Sequence, residues 1–250
     1  MQSGKTIPKL TRRAPRILLA LGVAACALLL GGCVYLRLLE LKRQFAHFDR
    51  HFVLQTHDGV RIIAQNPVLL MDDVRWIGLR PETTQRLGQA EQWHIRWVKQ
   101  LPPGVTEKSS FYIALDLTFA NGKLSGIAIP ESYFALLPKD FLIGVIKSLG
   151  GANVDKLSRK VEAAIAADDV RLARPNLPTV DKILGVPTEE REDGPHTIQR
   201  YRYIPATKES RAGVFEMTLR YHTKSGELLH WQGRTPMGNI AFDFSGKPAR

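Results

Sequence analysis

Two stretches of the 250-residue chain repeat the same order of patterns, and no other feature limits the possible folds as strongly. Each stretch has a short helical pattern, at residues 81–87 and 178–187, followed by three β-prone runs. The runs cover residues 93–98, 111–119 and 124–129 in the first copy and residues 198–204, 215–221 and 228–231 in the second. Apolar and polar residues alternate along the longest runs, as in strands covered on one face. The repetition predicts two copies of a short helix packed on an antiparallel three-stranded meander.

The turns of the two copies allow a residue-by-residue alignment. Aligning Gly122 of an Asn-Gly turn with Gly226 of a Ser-Gly turn places Leu115 on Leu219. We expect both leucines to be buried at equivalent positions. The residue after each leucine, such as Asp116, then lies on the other face of the sheet, because successive strand residues point to opposite faces.

Further patterns complete the predicted organisation. Two β-prone runs flank Asp58-Gly59 and predict a hairpin, and apolar stripes at residues 141–149 and 154–167 predict two helices between the copies. The predicted fold class is α+β, with two tandem small helix-plus-meander modules joined by a helical pair. The predicted segments are a signal peptide (1–32), a lipidated N-terminus with an amphipathic helix (33–50), a first α+β module (51–137), a helical connector (138–174) and a second α+β module (175–250).

The N-terminal segment has the layout of a secretory signal. Five basic residues precede an uncharged apolar run at residues 17–30, and two glycines and a cysteine follow it. Leu30-Gly31-Gly32-Cys33 resembles the bacterial lipobox, in which small residues admit the peptidase and a thiol accepts the lipid. The pattern predicts cleavage between Gly32 and Cys33 and a diacylglyceryl group on Cys33. The partner implied by this site is the membrane itself.

The same segment also permits an uncleaved signal anchor. Residues 17–36 carry no charge and are long enough to cross about 30 Å of hydrocarbon, which would make the chain a single-pass inner-membrane protein. Val34 after Cys33 fits the enterobacterial pattern for export onward, so the predicted location is the periplasmic face of the outer membrane. From Val34 onward, apolar residues at helical spacing predict an amphipathic helix, which either docks on the folded body or lies on the membrane surface.

Charge and motifs indicate no enzymatic or nucleic-acid chemistry. The net charge of +11 falls to +6 without residues 1–32, since five of the 35 basic residues and none of the 24 acidic residues lie there. No nucleic-acid-binding module is recognisable, and no catalytic residue or cofactor is predicted. His47 and His51 have helical spacing but no nearby third ligand, so no metal site is predicted either. The acidic cluster of Glu189, Glu190, Glu192 and Asp193 is predicted to form an exposed loop.

The second copy resembles the SmpA/OmlA/BamE-type envelope lipoproteins. The helix at residues 178–187 begins near a threonine and ends in Leu-Gly-Val-Pro, like the L-G-x-P of that family. Residues 201–203 are similar to its first strand and residues 215–231 to the following hairpin. The resemblance implies helices packed on a three-stranded antiparallel sheet, and the related β-lactamase-inhibitor-protein fold uses such modules in tandem.

Three functions are compatible with these patterns. The lipobox, the repeat and the absence of catalytic motifs favour a non-enzymatic, lipid-anchored envelope protein that binds another envelope protein, as a scaffold or an inhibitor. The first alternative is a periplasmic hydrolase or lipid-binding protein that uses a cleft between the modules. The second is a single-pass inner-membrane protein with the same periplasmic domain.

Overall fold

A computed structural model describes residues 34–107, 111–136, 139–148, 153–155, 160–166, 176–208, 213–235 and 238–244. The predicted signal peptide, Gly32 and Cys33 lie outside these residues. The helices are α1 (described at residues 34–46), α2 (Phe48–His51), α3 (Met71–Trp76), a 3₁₀ helix (Glu131–Ala135), α4 (Lys139–Ser148) and α5 (Leu177–Leu184). The strands are β1 (Phe52–Gln55), β2 (Val60–Ala64), β3 (Thr83–Leu87), β4 (Ala90–Lys99), β5 (Ile113–Ala120), β6 (Lys123–Ile129), β7 (Asn153–Asp155), β8 (Lys160–Ala166), β9 (Glu189–Asp193), β10 (His196–Pro205), β11 (Phe215–His222), β12 (Leu228–Thr235) and β13 (Gly238–Asp243).

The predicted fold class is wrong, because all of these strands belong to one large sheet. Eleven strands follow the order β1-β2-β6-β5-β4-β10-β11-β12-β13-β8-β7, while β3 pairs with β4 and β9 pairs with β10. Every pairing is antiparallel except that of β13 with β8. The chain therefore does not form two separate helix-plus-meander modules joined by helices.

Three predicted elements have a different secondary structure. Residues 81–87 were predicted to be helical, but β3 forms there and pairs with β4 across a turn in which Gly88 has a φ of 64°. The predicted helix at 154–167 is replaced by β7 and β8, because β8 pairs with β13, a strand distant in sequence whose contacts override the local helical pattern. Residues 189–193 form β9 rather than a loop. All five β9 residues are exposed, so the strand shows no apolar alternation.

The order of elements recurs, although the two sets share one sheet. We call α3 to β6 the first half and α5 to β12 the second half. The halves join where β4 pairs with β10, with Val98 opposite Ile204 at the centre of the three paired residues. Ala90 and His196 are equivalent, because each is the first residue after the turn of its hairpin. Trp93 and Gln199 follow them by three residues and lie opposite Leu117 and Leu219, so these two leucines are equivalent.

The predicted alignment of Leu115 with Leu219 is therefore shifted by two residues. Ala120 pairs with Lys123 across a tight turn, whereas Tyr221 pairs with Leu228 across a longer one, and each hairpin has one register shift along its strands. Leu219 is buried as predicted, but Leu115 is only partly buried against the core. The Gly-based alignment holds at the turn and fails along the strand.

The main core lies on one face of the sheet. Trp93, Ile95 and Trp97 of β4 alternate onto this face, and Tyr201 and Tyr203 of β10 continue it into the second half. Helices α3 and α5 pack on it through buried side chains that include Val74, Val180 and Leu184. We call the opposite side of the sheet the open face.

The N-terminal helix docks on the body of the protein. Phe45 and Phe48 are buried with Phe52 of β1 in a second core cluster. Arg37 donates two hydrogen bonds, of 2.5 and 2.6 Å, to the buried carboxylate of Asp73 in α3. None of the helices in the described part of the chain combines the length and the apolar composition that a membrane crossing requires.

Candidate binding surface

The open face of the sheet is covered by none of the described helices. The buried apolar side chains described in α1, α3, α4 and α5 all belong to the two core clusters on the opposite face. On β4 the open-face residues Gln92, His94, Arg96 and Val98 are all half-buried, and the face continues across β10 to β12. Because a wide sheet is rigid, the open face holds its side chains in fixed relative positions.

Four apolar side chains cross the centre of the open face. Val98 and Ile204 are direct cross-strand neighbours. Continuing the registers of β5 and β11 by one residue places Tyr112 beside Val98 and Val214 beside Ile204. Tyr112 is 46% exposed and Ile204 is 41% exposed. We call these four residues the apolar row. Single exposed apolar residues are common on protein surfaces, but a contiguous set across four strands is typical of an interaction site.

An arginine lies on each side of the apolar row. Arg96 precedes Val98 by two residues and Arg202 precedes Ile204 by two, and because the strands are antiparallel the two arginines flank the row from opposite sides. Arg96 binds Glu82 through two hydrogen bonds of 2.5 and 2.8 Å, and its guanidinium lies 5.5 Å from the ring centre of Tyr112. The hydrogen bond from Arg96 lowers the pKa of Glu82. The exposed Arg202 forms no ion pair with any described carboxylate.

The second half gives the open face an excess of arginine. Arg200 binds both Glu189 and Glu216, at 3.0 and 3.4 Å. The strand registers place four further arginines and one further carboxylate of the second half on the described face: Arg191, Arg202, Arg220, Arg234 and Asp193. Asp243 of β13 lies beside them, opposite His230. On the strands of the second half, five arginines thus lie beside three carboxylates. This surface favours a partner that carries acidic groups.

The first half carries a shallow polar pocket of about 220 Å³ on the same face. Thr83, His94 and Asp116 lie side by side on β3, β4 and β5, and two glutamines complete the lining. The Nδ1 atom of His94 is 2.6 Å from an Asp116 carboxylate oxygen. The equivalent positions in the second half hold Glu189, Arg200 and Thr218, so this arrangement belongs to the first half alone.

The histidines singled out in the sequence do not form a site together. His47 precedes the short helix α2 and His51 is its last residue, and the described residues contain no group of three metal-ligating side chains. His222 lies opposite His196, with their ring centres 6.4 Å apart, whereas His230 lies opposite Arg220. His222 and His230, on the two arms of one hairpin, are therefore not cross-strand neighbours.

The apolar row was not predicted from the sequence, although a signal for it was present. The core pattern accounts for Trp97 and Tyr203, but the next residues, Val98 and Ile204, are also apolar and interrupt the alternation in both copies. A strand with apolar residues on both faces is either covered on both sides or exposes a binding surface.

No protein-family model, no curated protein and no solved structure matches the chain.

Proposed function

We propose that the chain is a non-enzymatic, lipid-anchored protein of the bacterial envelope that binds another envelope protein through the open face. The observation that carries the proposal is the apolar row flanked by Arg96 and Arg202. Protein interfaces combine an apolar centre rich in aromatic residues and arginine with a polar rim, and this face has the same arrangement. The lipobox at Cys33 supports the anchor.

The docked helix α1 supports a role at the membrane surface. Val34, the residue after the proposed lipid site, is already helical, and Arg37 is bound to Asp73 of the body. No long tether separates the anchor from the folded sheet. A lipid on Cys33 would therefore hold the open face close to the membrane, where a membrane-bound partner is found at high effective concentration.

Partner capture from detergent-solubilised membranes tests the binding function. Ile204→Asp places a charge in the centre of the apolar row. Val186→Asp is the matched control, because Val186 has the same 41% exposure but follows α5 outside the row. Burial of an isoleucine contributes about 1.5–3 kcal/mol, so Ile204→Asp should reduce recovery of the partner at least tenfold. Recovery of the protein alone, or equal loss in both variants, would contradict the proposal.

Fatty-acid labelling tests the anchor separately. The wild type should incorporate a clickable fatty acid and lose residues 1–32, whereas Cys33→Ser should carry no label and migrate as the longer, uncut chain. Equal mobility and no label in either protein would instead support a single membrane-spanning segment at about residues 17–36.

The polar pocket favours a second candidate function, that of a hydrolase or small-ligand-binding protein. A hydroxyl, an imidazole and a carboxylate on three adjacent strands are the groups used in nucleophilic hydrolysis, and the Asp116 contact orients His94. Thr83 and His94 form no hydrogen bond with each other in the described structure. Hydrolysis of simple esters that is abolished by His94→Ala and retained in the control Arg200→Ala would favour this function over the first.

A further inference from the structure

We propose that the outer edge of β3 accepts an extended segment of the partner protein as an additional antiparallel or parallel strand. This inference rests on the proposed binding function and specifies how the partner is held. Strand addition at a sheet edge uses main-chain hydrogen bonds for affinity and alternating side chains for specificity.

The outer edge of β3 is open in the described structure. Strand β3 pairs with β4 alone, and no other described strand lies on its second side. All five of its side chains are exposed. A five-residue edge of this kind presents unpaired main-chain donors and acceptors to another chain.

The equivalent strand of the second half provides an internal comparison. Strand β9 occupies the same position beside β10 that β3 occupies beside β4, and it is also an edge. Its sequence is Glu-Glu-Arg-Glu-Asp, whereas that of β3 is Thr-Thr-Gln-Arg-Leu. Charged residues on an edge strand oppose pairing with another chain. Four acidic residues therefore protect β9, while β3 has β-branched residues and only one charge.

The open edge is continuous with the open face. Thr83, Gln85 and Leu87 lie opposite His94, Gln92 and Ala90, so their side chains share the open face with the polar pocket. An added strand would extend that face by about 4.8 Å beyond β3. Leu87 is 49% exposed and provides an apolar contact at the end of the edge.

The charge of β3 indicates the chemistry of the added segment. Arg86 is the only charged residue of the strand and lies on the face opposite to Thr83 and Gln85. Glu91 of β4 lies opposite Arg86 on the inner side and accepts a hydrogen bond from Trp93. An acidic residue placed on the outer side of Arg86 would form a cross-strand ion pair, and a basic residue would be repelled. The segment that fits is therefore extended, rich in β-branched residues and acidic at one central position.

Synthetic peptides test the inference on the purified full chain in detergent. The first peptide is a β-branched heptapeptide with one central glutamate, the second replaces that glutamate with lysine, and the third is the first peptide with alternate amides N-methylated along one edge. Fluorescence anisotropy should show saturable binding of the first peptide and none of the third. The first should bind roughly twofold to fivefold more tightly than the second, which is the range for one exposed ion pair.

Two variants make the result specific to β3. Arg86→Glu should reverse the preference, so that the lysine peptide binds more tightly. Glu192→Gln, at the equivalent position of β9, should leave every affinity unchanged. Equal binding of the N-methylated peptide, or an unchanged charge preference in Arg86→Glu, would overturn the proposal. Dimerisation of the chain through β3 in sedimentation experiments would also overturn it, because the occupant would then be a second copy.

The outcome separates this inference from the proposed function. If Ile204→Asp abolishes partner capture while no peptide binds the wild-type chain, the partner uses the open face without strand addition. If the peptides bind as expected but no partner is recovered, the edge is receptive and the proposed function fails.

Discussion

A buried ion pair of the first half, at its contact with the second half, provides the sharpest test of the structure. Lys99, in β4 of the first half, has a side chain with no exposure, and its Nζ atom lies 2.7 Å from a carboxylate oxygen of Glu107. The same ammonium group donates a hydrogen bond to the carbonyl oxygen of Leu184, at the end of α5 in the second half. Glu107 also accepts a 2.6 Å hydrogen bond from the backbone N–H of Val186.

We expect Lys99→Met to lower the free energy of unfolding by about 3–5 kcal/mol. Methionine has a similar volume, so the loss comes from the Glu107 carboxylate and the Leu184 carbonyl, which lose their buried donor. For a domain of this size the melting temperature should fall by roughly 6–20 °C. Lys147→Met is the matched control, because the Lys147–Asp49 pair is exposed and such pairs contribute about 0–1 kcal/mol.

Urea unfolding of the purified full chain, followed by circular dichroism, measures both effects. The double variant Lys99→Met/Glu107→Gln should cost less than the sum of its single variants, with a coupling energy of about 1–3 kcal/mol. A loss below about 1 kcal/mol for Lys99→Met would show that the pair contributes no more than a surface pair, and the reasoning would be wrong.

Two further predictions concern the same region. Gly185→Ala should destabilise the protein more than Gly194→Ala. Both glycines have positive φ, but only at Gly185 would the new Cβ lie 2.5 Å from a Glu107 oxygen. Urea midpoints that fall equally in the two variants would contradict this. Burial raises the pKa of four tyrosines above the ordinary value near 10, namely Tyr133, Tyr201, Tyr203 and Tyr221. Their contribution to stability is therefore unaffected below pH 10 and is lost as the pH rises above it. The hydroxyl of Tyr221 has no described hydrogen-bond partner. In urea unfolding, Tyr221→Phe should therefore reduce the loss of stability between pH 10 and 11 by about 1 kcal/mol. An identical loss in wild type and variant would rule this out.

The sequence predicts strands well where one face is buried and poorly where neither face is. In β11 the apolar residues Met217, Leu219 and Tyr221 alternate with polar ones, so the sequence predicts this strand, and all three are buried. Strands β3 and β9 are exposed along their whole length and bear no such pattern, so they were assigned as a helix and a loop. Their positions depend on hairpin pairing with β4 and β10, which local sequence does not reveal.

The single sheet also depends on contacts that are distant in sequence. The apolar residues of 154–167 have helical spacing, yet β8 forms there because six of its residues pair with β13. The joining of the halves depends on Val98 and Ile204, whose apolar character is visible in the sequence but whose pairing is not. The polar pocket was missed for the same reason, since Thr83, His94 and Asp116 come together only once three strands are in register.

The pairing of β4 with β10 has a consequence for the order of folding. Val98 and Ile204 are about one hundred residues apart in the chain, whereas the hairpins on either side close over a few residues. We therefore expect the hairpins of each half to form first and the three residue pairs of the junction to form last. Substitutions at the junction should then accelerate unfolding while leaving the folding rate nearly unchanged, so that the junction determines how long each molecule stays folded.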